Sequence, residues 1–504
     1  MNQRQIFVNA LTTSIQVLAS AAILFFLYRF LIRTIGMERL GIWSLVLATT
    51  SVVALAHQGF STSIIKFVAK YSARGDSAEV SLLIQTAVLS AALSVALVAS
   101  GLYPLARWAL ALVVPQASLV EALAILPFAL ASLWCNIMQG ILQAGLAGHQ
   151  WIALCNYIEL AGSFSYLLFA FALVPSRGLL GLAFAQAFQG ALFVAITWSI
   201  LRRKIPTLPL LPRRWNLRIF CEIAAYGLHF QIITAGQSLR EPVTKALIAK
   251  FGGLAMTGFY DLASRCVVTF RELIVQANQV LVPAVSHLQE RDPDSLPAIY
   301  RESYRVVFFF AIPAFAALAV FSPAISRIWI GRYEPPFVEF VAILSVGWLI
   351  NILANPAYVL DLGTGSLRPV TIGCLFTAIL NAGLGSVAGH FFGGSAVVLA
   401  SAFSLACGYI FILAAYHVTN HIPFAVLLPP ESRTLFLCSI SCAVIFSPII
   451  FSLRFRSLSI GTTLSVASVC LVVLLVAVWR HPLRKRLVRW AFARATATAP
   501  VEAS

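Results

Sequence analysis

The sequence predicts an all-α polytopic membrane protein with about 14 transmembrane helices, arranged as two six-helix lobes in parallel repeat plus an appended helix pair. Of its 504 residues, 60% are hydrophobic and 11% are charged, whereas a soluble chain has about 25% charged residues. Apolar segments of about 20 residues recur from one end to the other, and the two halves match at a nearly constant offset. This composition excludes a soluble enzyme and a nucleic-acid-binding protein.

The apolar segments, numbered here as spans 1 to 14, have the length that a helix needs to cross a bilayer. They lie at about 8–32, 41–68, 80–103, 118–143, 151–173, 178–200, 219–249, 255–285, 303–323, 337–361, 368–390, 394–417, 434–453 and 459–479. Spans 7 and 8 are the least hydrophobic, so 12 helices is the alternative count.

The net charge of +17 is explained by topology. With the amino terminus in the cytoplasm, most Lys and Arg residues fall on the cytoplasmic side, as the positive-inside rule requires. An even number of spans then places the carboxyl terminus there too, where the basic amphipathic tail would lie on the anionic inner leaflet. The outer loops are all short.

The two halves of the chain repeat. Gly36 aligns with Gly253 and Gly41 with Gly258 at an offset of 217, and Leu142-Gln-Ala-Gly145 aligns with Leu360-Asp-Leu-Gly363. A shift of six helices gives a parallel repeat, an architecture in which transporters place a substrate site between the halves. We therefore predict an N-terminal lobe, a basic cytoplasmic linker, a C-terminal lobe, an appended pair and a cytoplasmic tail: 1–201, 202–218, 219–420, 421–480 and 481–504.

Span 8 carries the clearest polar pattern. Asp261, Arg265 and Glu272 share one helical stripe, and Arg271 widens it. Charged groups inside a membrane usually face a bundle interior or a water-filled cavity. The stripe indicates either a cavity wall that presents cations to an anionic ligand or internal ion pairs, Asp261 with Arg265 and Glu272 with a nearby base.

Four further bases are candidates for substrate binding. Arg240 and Lys245 lie in the outer third of span 7, where a long side chain can also snorkel to the interface. Arg29 lies near the outer end of span 1 and Lys66 near the inner end of span 2. Interface anchoring is the alternative for both, although Lys66 could capture a phosphate headgroup.

Candidate groups for ion coupling are Asp261, Glu272, Glu159 and His229. Glu159 is the one carboxylate of span 5, so it is either protonated and hydrogen-bonded or a coupling site. His229 is either a packing residue or a proton relay. Span 1 adds an acid-free polar stripe, Asn9, Thr13, Gln16 and Ser20.

No catalytic constellation is visible. The sequence has no Walker loop, HExxH motif or nucleophile elbow, and its nine cysteines include no CxxC pair. We therefore expect neither an enzyme, nor a cofactor, nor a metal site.

Several segments resemble Wzx-type polysaccharide flippases of the multidrug/oligosaccharidyl-lipid/polysaccharide exporter superfamily. They are Gly36-x4-Gly41-Ile-Trp-Ser, leading to Gln58-Gly-Phe-Ser-Thr-Ser63, then Gly140-Ile-Leu-Gln-Ala-Gly145 and Gly178-Leu-Leu-Gly181. The resemblance covers about residues 5–480. It implies flipping of undecaprenyl-diphosphate-linked oligosaccharide across the bacterial inner membrane, with membrane lipids and polysaccharide polymerase machinery as partners. It also implies a cationic cavity lined by Arg29, Lys66, Arg240 and Arg265, with Lys245 and Arg271 behind them.

Three other functions stay open. A drug/cation antiporter of the same superfamily should carry an acid deep in span 1, which has none. A membrane-embedded glycan polymerase or ligase should carry a large outer loop. A non-transporting scaffold for glycan assembly is not distinguished by sequence, and neither is the glycan, whether lipopolysaccharide O-antigen, exopolysaccharide or capsule.

Overall fold

The computed structural model describes residues 3–54, 58–279, 295–455 and 460–484, and all regular secondary structure within them is helical. The all-α prediction is therefore confirmed. The α-helices are α1 Gln3–Ala54, α2 Gln58–Ala73, α3 Ser77–Val113, α4 Gln116–Gly148, α5 Ile152–Lys204, α6 Leu217–Gly252, α7 Leu254–Gln279, α8 Leu296–Trp329, α9 Pro335–Leu353, α10 Asn355–Thr364, α11 Leu367–Phe392, α12 Gly394–Thr419, α13 Arg433–Phe455 and α14 Ile460–Arg480.

Two helices run through loops that the sequence predicts between spans. Helix α1 has 52 residues and bends at Gly36, where φ is 83°. Helix α5 has 53 residues and bends at Gly178, where φ is 56°. At 1.5 Å per residue each would extend about 80 Å if straight, more than twice the hydrocarbon thickness. Glycine permits the left-handed conformation that turns the chain at both bends.

Eight helical segments of the described chain are long and apolar enough to cross a membrane, and they identify a multi-pass membrane protein. They are Ile15–Val53, Ser77–Val113, Gln116–Gly148, Ile152–Lys204, Leu296–Trp329, Pro335–Thr364, Leu367–Phe392 and Gly394–Thr419. Helices α6 and α7 are not among them, consistent with the low hydrophobicity of spans 7 and 8. The count of 14 stays a prediction.

Two glycines that align between the halves of the sequence share their backbone geometry. Gly36 and Gly253 have nearly the same dihedral angles, φ 83° and ψ 171° against φ 86° and ψ 172°. The glycines five residues further on, Gly41 and Gly258, lie at a close helix contact. A Cβ on Gly41 would fall 1.8 Å from the carbonyl oxygen of Leu254, and one on Gly258 would fall 2.5 Å from that of Met37.

The chain forms two compact units. Unit 1 comprises the residues up to Gly258 together with Gly385–Val397, and unit 2 comprises Phe259–Leu384 together with the residues from Val398 onward. Helix α6 therefore groups with α1 to α5, although it follows the predicted linker. The predicted lobe boundaries stay predictions.

The predicted linker is a docked segment of unit 1. The side-chain oxygen of Gln85 on α3 accepts hydrogen bonds from the backbone amides of Arg213 (3.1 Å) and Arg214 (3.2 Å). The hydroxyl of Thr86 accepts another from Asn216, which caps the start of α6. These bonds satisfy backbone donors that would otherwise lie unpaired between helices.

In unit 2, α13 and α14 pack against α8. Ala316 and Val320 of α8 form a buried cluster with Cys442 of α13 and with Cys470 and Leu474 of α14. Small side chains at this contact let the helices approach closely, as membrane helices commonly do. The appended pair is thus attached to α8.

Candidate functional site

One ion pair of the predicted site joins Arg265 and Asp261 on α7. The Nε of Arg265 donates to the Oδ2 of Asp261 at 2.8 Å, one helical turn away. The Asp261 side chain is 2% exposed and that of Arg265 35% exposed. The carboxylate therefore holds the guanidinium at a fixed angle while part of it stays accessible.

Arg271 is held from three sides. Its Nε donates to the Oδ1 of Asn351 on α9 at 2.7 Å, and its Nη1 donates to Glu272 at 2.5 Å. Its guanidinium lies 5.1 Å from the ring centroid of Trp348, within cation–π range. The side chain of Asn351 also forms a hydrogen bond with that of Tyr409 on α12. Unit 2 thus contains both internal ion pairs that the sequence offers as the alternative to a cavity wall, Asp261 with Arg265 and Glu272 with Arg271.

The two bases of α6 are buried within unit 1. Lys245 is 4% exposed and Arg240 is 7% exposed. The ammonium of Lys245 forms an ion pair with Glu241 at 2.7 Å rather than reaching the surface. The hydroxyl of Thr244 donates to the carbonyl oxygen of Arg240. Lys245 is therefore held by a carboxylate of its own helix.

The remaining two bases of unit 1 are more accessible. Arg29 is half-buried on α1, and Lys66 is exposed on α2 with its Nζ 5.6 Å from the ring centroid of Phe67. Of the six predicted bases, unit 1 therefore holds Arg29, Lys66, Arg240 and Lys245, and unit 2 holds Arg265 and Arg271. A cationic cavity that joins all six stays a prediction.

Near the linker, α2 is tied to α6 by Glu222. Lys70 forms an ion pair with it at 3.5 Å, and the Tyr71 hydroxyl donates to it at 3.2 Å. Burial, together with the Glu222 charge, raises the pKa of Tyr71. The phenol therefore remains a hydrogen-bond donor at neutral pH.

Glu159 has a partner on another helix. The Nε2 of Gln16 on α1 donates to the Oε2 of Glu159 at 3.0 Å. Three residues earlier on α5, the Nδ2 of Asn156 donates to Thr12 and Thr13. The polar stripe of span 1 is thus matched by polar residues of α5. The side chain of His229 lies outside the described residues, so its role stays a prediction.

Two buried groups were not among the predicted site residues. Asn351 receives the Arg271 bond, and Asp361 of α10 is 4% exposed. Within the described residues, the Oδ2 of Asp361 makes no hydrogen bond. The charge of Asp361 inside a span was the available signal, whereas Asn351 could not be identified without knowing which helix faces α7.

Among the residues that the structure describes, no group of three or more His, Cys, Asp and Glu side chains could hold a metal ion. The site is therefore built from arginines, lysines, carboxylates and amides. Such groups bind anions or hydroxyl groups by charge-assisted and neutral hydrogen bonds.

A family model described as "Polysaccharide biosynthesis protein" matches residues 30–333 of the chain. The chain belongs to this family. No curated protein matches it.

Several solved structures have a similar fold. An inward-facing multidrug resistance MATE family transporter of the MOP superfamily is 14% identical, with a TM-score of 0.70 over 83% of this chain and 99% of that chain. The lipid II flippase MurJ in an inward closed conformation is 12% identical, with a TM-score of 0.66 over 90% and 99%. A MOP superfamily transporter from Pyrococcus furiosus, whose binding pocket is described as reversed in polarity, is 13% identical, with a TM-score of 0.60 over 82% and 95%.

These matches confirm the resemblance at the level of family and fold. The polysaccharide biosynthesis protein has the helical fold of membrane transporters and flippases. Identities of 12–14% show the fold alone.

Proposed function

We propose that the protein moves an undecaprenyl-diphosphate-linked oligosaccharide from the inner to the outer leaflet of the bacterial cytoplasmic membrane. The observation that carries the proposal is the placement of Arg265 and Arg271 inside a polar helix of a polysaccharide-biosynthesis family member with a transporter fold. A diphosphate needs charge-assisted donors, and guanidinium groups supply them in a planar, bidentate arrangement.

When no substrate is bound, the carboxylates of Asp261 and Glu272 pair with the two arginines. A buried base without a partner costs several kcal/mol, so each arginine needs an anion in every state. Glu272 is 36% exposed and Asp261 is 2% exposed. We infer that the diphosphate displaces Glu272 from Arg271, while Asp261 stays in place and keeps Arg265 correctly aimed.

Transport would follow from alternating access between the two repeat halves. The charged headgroup would cross within the protein, and the prenyl chain would remain in lipid. Both termini would be cytoplasmic, and the released lipid-linked sugar would pass to polymerase machinery outside. Coupling to an ion would use Asp261, Glu272, Glu159 or His229, the acidic and titratable groups inside the spans.

Purified protein in vesicles provides the test. Lipid-linked oligosaccharide is incorporated into the inner leaflet, and its appearance outside is measured with an external glycan-binding probe. Wild-type protein should expose it, and Arg265→Ala should lose most of that activity. Arg39→Ala is the matched control, because Arg39 forms an exposed ion pair with Glu121 at 3.1 Å in unit 1. Equal exposure with and without protein would contradict the proposal and favour an antiporter or a scaffold.

A further inference from the structure

We propose that a polar cluster of unit 1, formed by Gln16 on α1 and by Asn156 and Glu159 on α5, binds hydroxyl groups of the sugar part of the substrate. We name these three residues the α1–α5 amide cluster. The inference rests on the proposed function and goes beyond it, because it separates recognition of the glycan from recognition of the diphosphate.

The cluster is built by hydrogen bonds between the two helices. The Nε2 of Gln16 donates to the Oε2 of Glu159 at 3.0 Å and to the hydroxyl of Ser20 at 3.3 Å. The Nδ2 of Asn156 donates to the hydroxyls of Thr12 and Thr13 at 3.2 and 3.0 Å. Both amides therefore use their NH2 groups within the protein, and their orientation is fixed.

This arrangement leaves hydrogen-bond acceptors open. Within the described residues, no hydrogen bond is made by the side-chain carbonyl oxygens of Gln16 and Asn156 or by the Oε1 of Glu159. Each amide oxygen and carboxylate oxygen has lone pairs to offer. A ligand at this cluster must therefore bring donors, and sugar hydroxyl groups are donors.

Accessibility points in the same direction. Glu159 is exposed and Gln16 is half-buried, although both lie inside predicted spans. A carboxylate that faced hydrocarbon would be costly, so such groups usually face a bundle interior or a water-filled cavity. Asn156 and Glu159 are three residues apart on α5, about 4.5 Å along the helix, a spacing comparable with the width of one sugar ring.

The cluster cannot serve the diphosphate itself. It contains no base, and the Glu159 carboxylate would repel a second anion. A neutral, hydroxyl-rich group is the part of a lipid-linked oligosaccharide that fits these acceptors. The α1–α5 amide cluster is thus a specificity site for the glycan.

Binding in lipid nanodiscs tests the inference with two probes, bare undecaprenyl diphosphate and the undecaprenyl-diphosphate-linked oligosaccharide extracted from the protein's own host. Wild-type protein should bind the glycosylated probe more tightly. Gln16→Ala and Glu159→Gln should each weaken binding of the glycosylated probe about tenfold, which corresponds to the loss of one or two hydrogen bonds. Binding of the bare probe should be unchanged. Ser199→Ala is the control, because this exposed α5 hydroxyl bonds only to its own helix, at the Ala195 carbonyl.

Unchanged binding of the bare probe also shows that the variants are folded. If the variants bind both probes equally more weakly, or bind neither more weakly, the assignment of the cluster to the glycan is overturned. Stabilisation of the wild type by sodium alone, lost in Glu159→Gln, would identify a cation site and overturn it as well. If wild-type protein binds neither probe, the proposed function itself fails.

Discussion

Replacing Gly41 by alanine should destabilise unit 1 by about 2–3 kcal/mol. A Cβ at this position would lie 1.8 Å from the carbonyl oxygen of Leu254 and 3.2 Å from the backbone nitrogen of Gly258. A carbon and an oxygen atom approach no closer than about 3.3 Å. The backbone of α1 at Gly41 and the start of α7 at Leu254 would therefore have to separate by roughly 1.5 Å. Backbone shifts forced by overpacking cost about 1–3 kcal/mol, and a backbone obstacle places the cost at the upper end.

Gly101 on α3 is the matched control, because nothing lies within 4 Å of a Cβ built there. Alanine at this helical position should be neutral or stabilise the protein by about 0.5–1 kcal/mol. The assay is unfolding of each purified variant in mixed micelles by titration with a denaturing detergent. If the free energies of unfolding of Gly41→Ala and Gly101→Ala agree within about 0.5 kcal/mol, the close helix contact is not present as described.

Three further outcomes follow from the structure. Arg271→Lys should lose the two contacts that the guanidinium makes to Asn351 and Glu272. Binding of undecaprenyl diphosphate, measured in nanodiscs, should weaken about tenfold because an ammonium group lacks the guanidinium plane. An unchanged affinity would contradict that role of the guanidinium. Gln85→Ala should leave linker amides unpaired, at a cost of about 1–3 kcal/mol, and should speed proteolysis of the linker; an unchanged cleavage rate would contradict the docking. Burial lowers the pKa of His481, whose Nε2 forms a hydrogen bond with the Ser432 hydroxyl at 3.0 Å. The unfolded chain therefore binds a proton more readily, so folding stability should fall as pH drops below about 6.5. His481→Gln should flatten this pH dependence.

The fold class could be predicted because it depends on composition and periodicity. Apolar segments of spanning length, and glycines at a constant offset, are properties of the sequence alone. The structure gives Gly36 and Gly253, which align in the sequence, nearly the same dihedral angles. The sequence does not predict that α1 and α5 continue through Gly36 and Gly178, because a glycine between two spans is compatible with either a loop or a helix bend.

The candidate site could be predicted only in part. The α7 pair of Asp261 and Arg265 follows from a spacing of four residues on one helix. The contact between Arg271 and Asn351 crosses 80 positions of sequence, and the contact between Gln16 and Glu159 crosses 143. Contacts of this kind depend on which helix faces which, and one sequence does not contain that information.

The central claim is most directly tested in cells. The measurement is the leaflet accessibility of lipid-linked sugar in a strain that lacks this gene, with an outer-leaflet probe and with complementation by wild type or by Arg265→Ala. The account predicts that the sugar stays on the inner leaflet without the gene, that wild type restores its exposure, and that Arg265→Ala does not, despite normal membrane levels. Unchanged sidedness after deletion would contradict it.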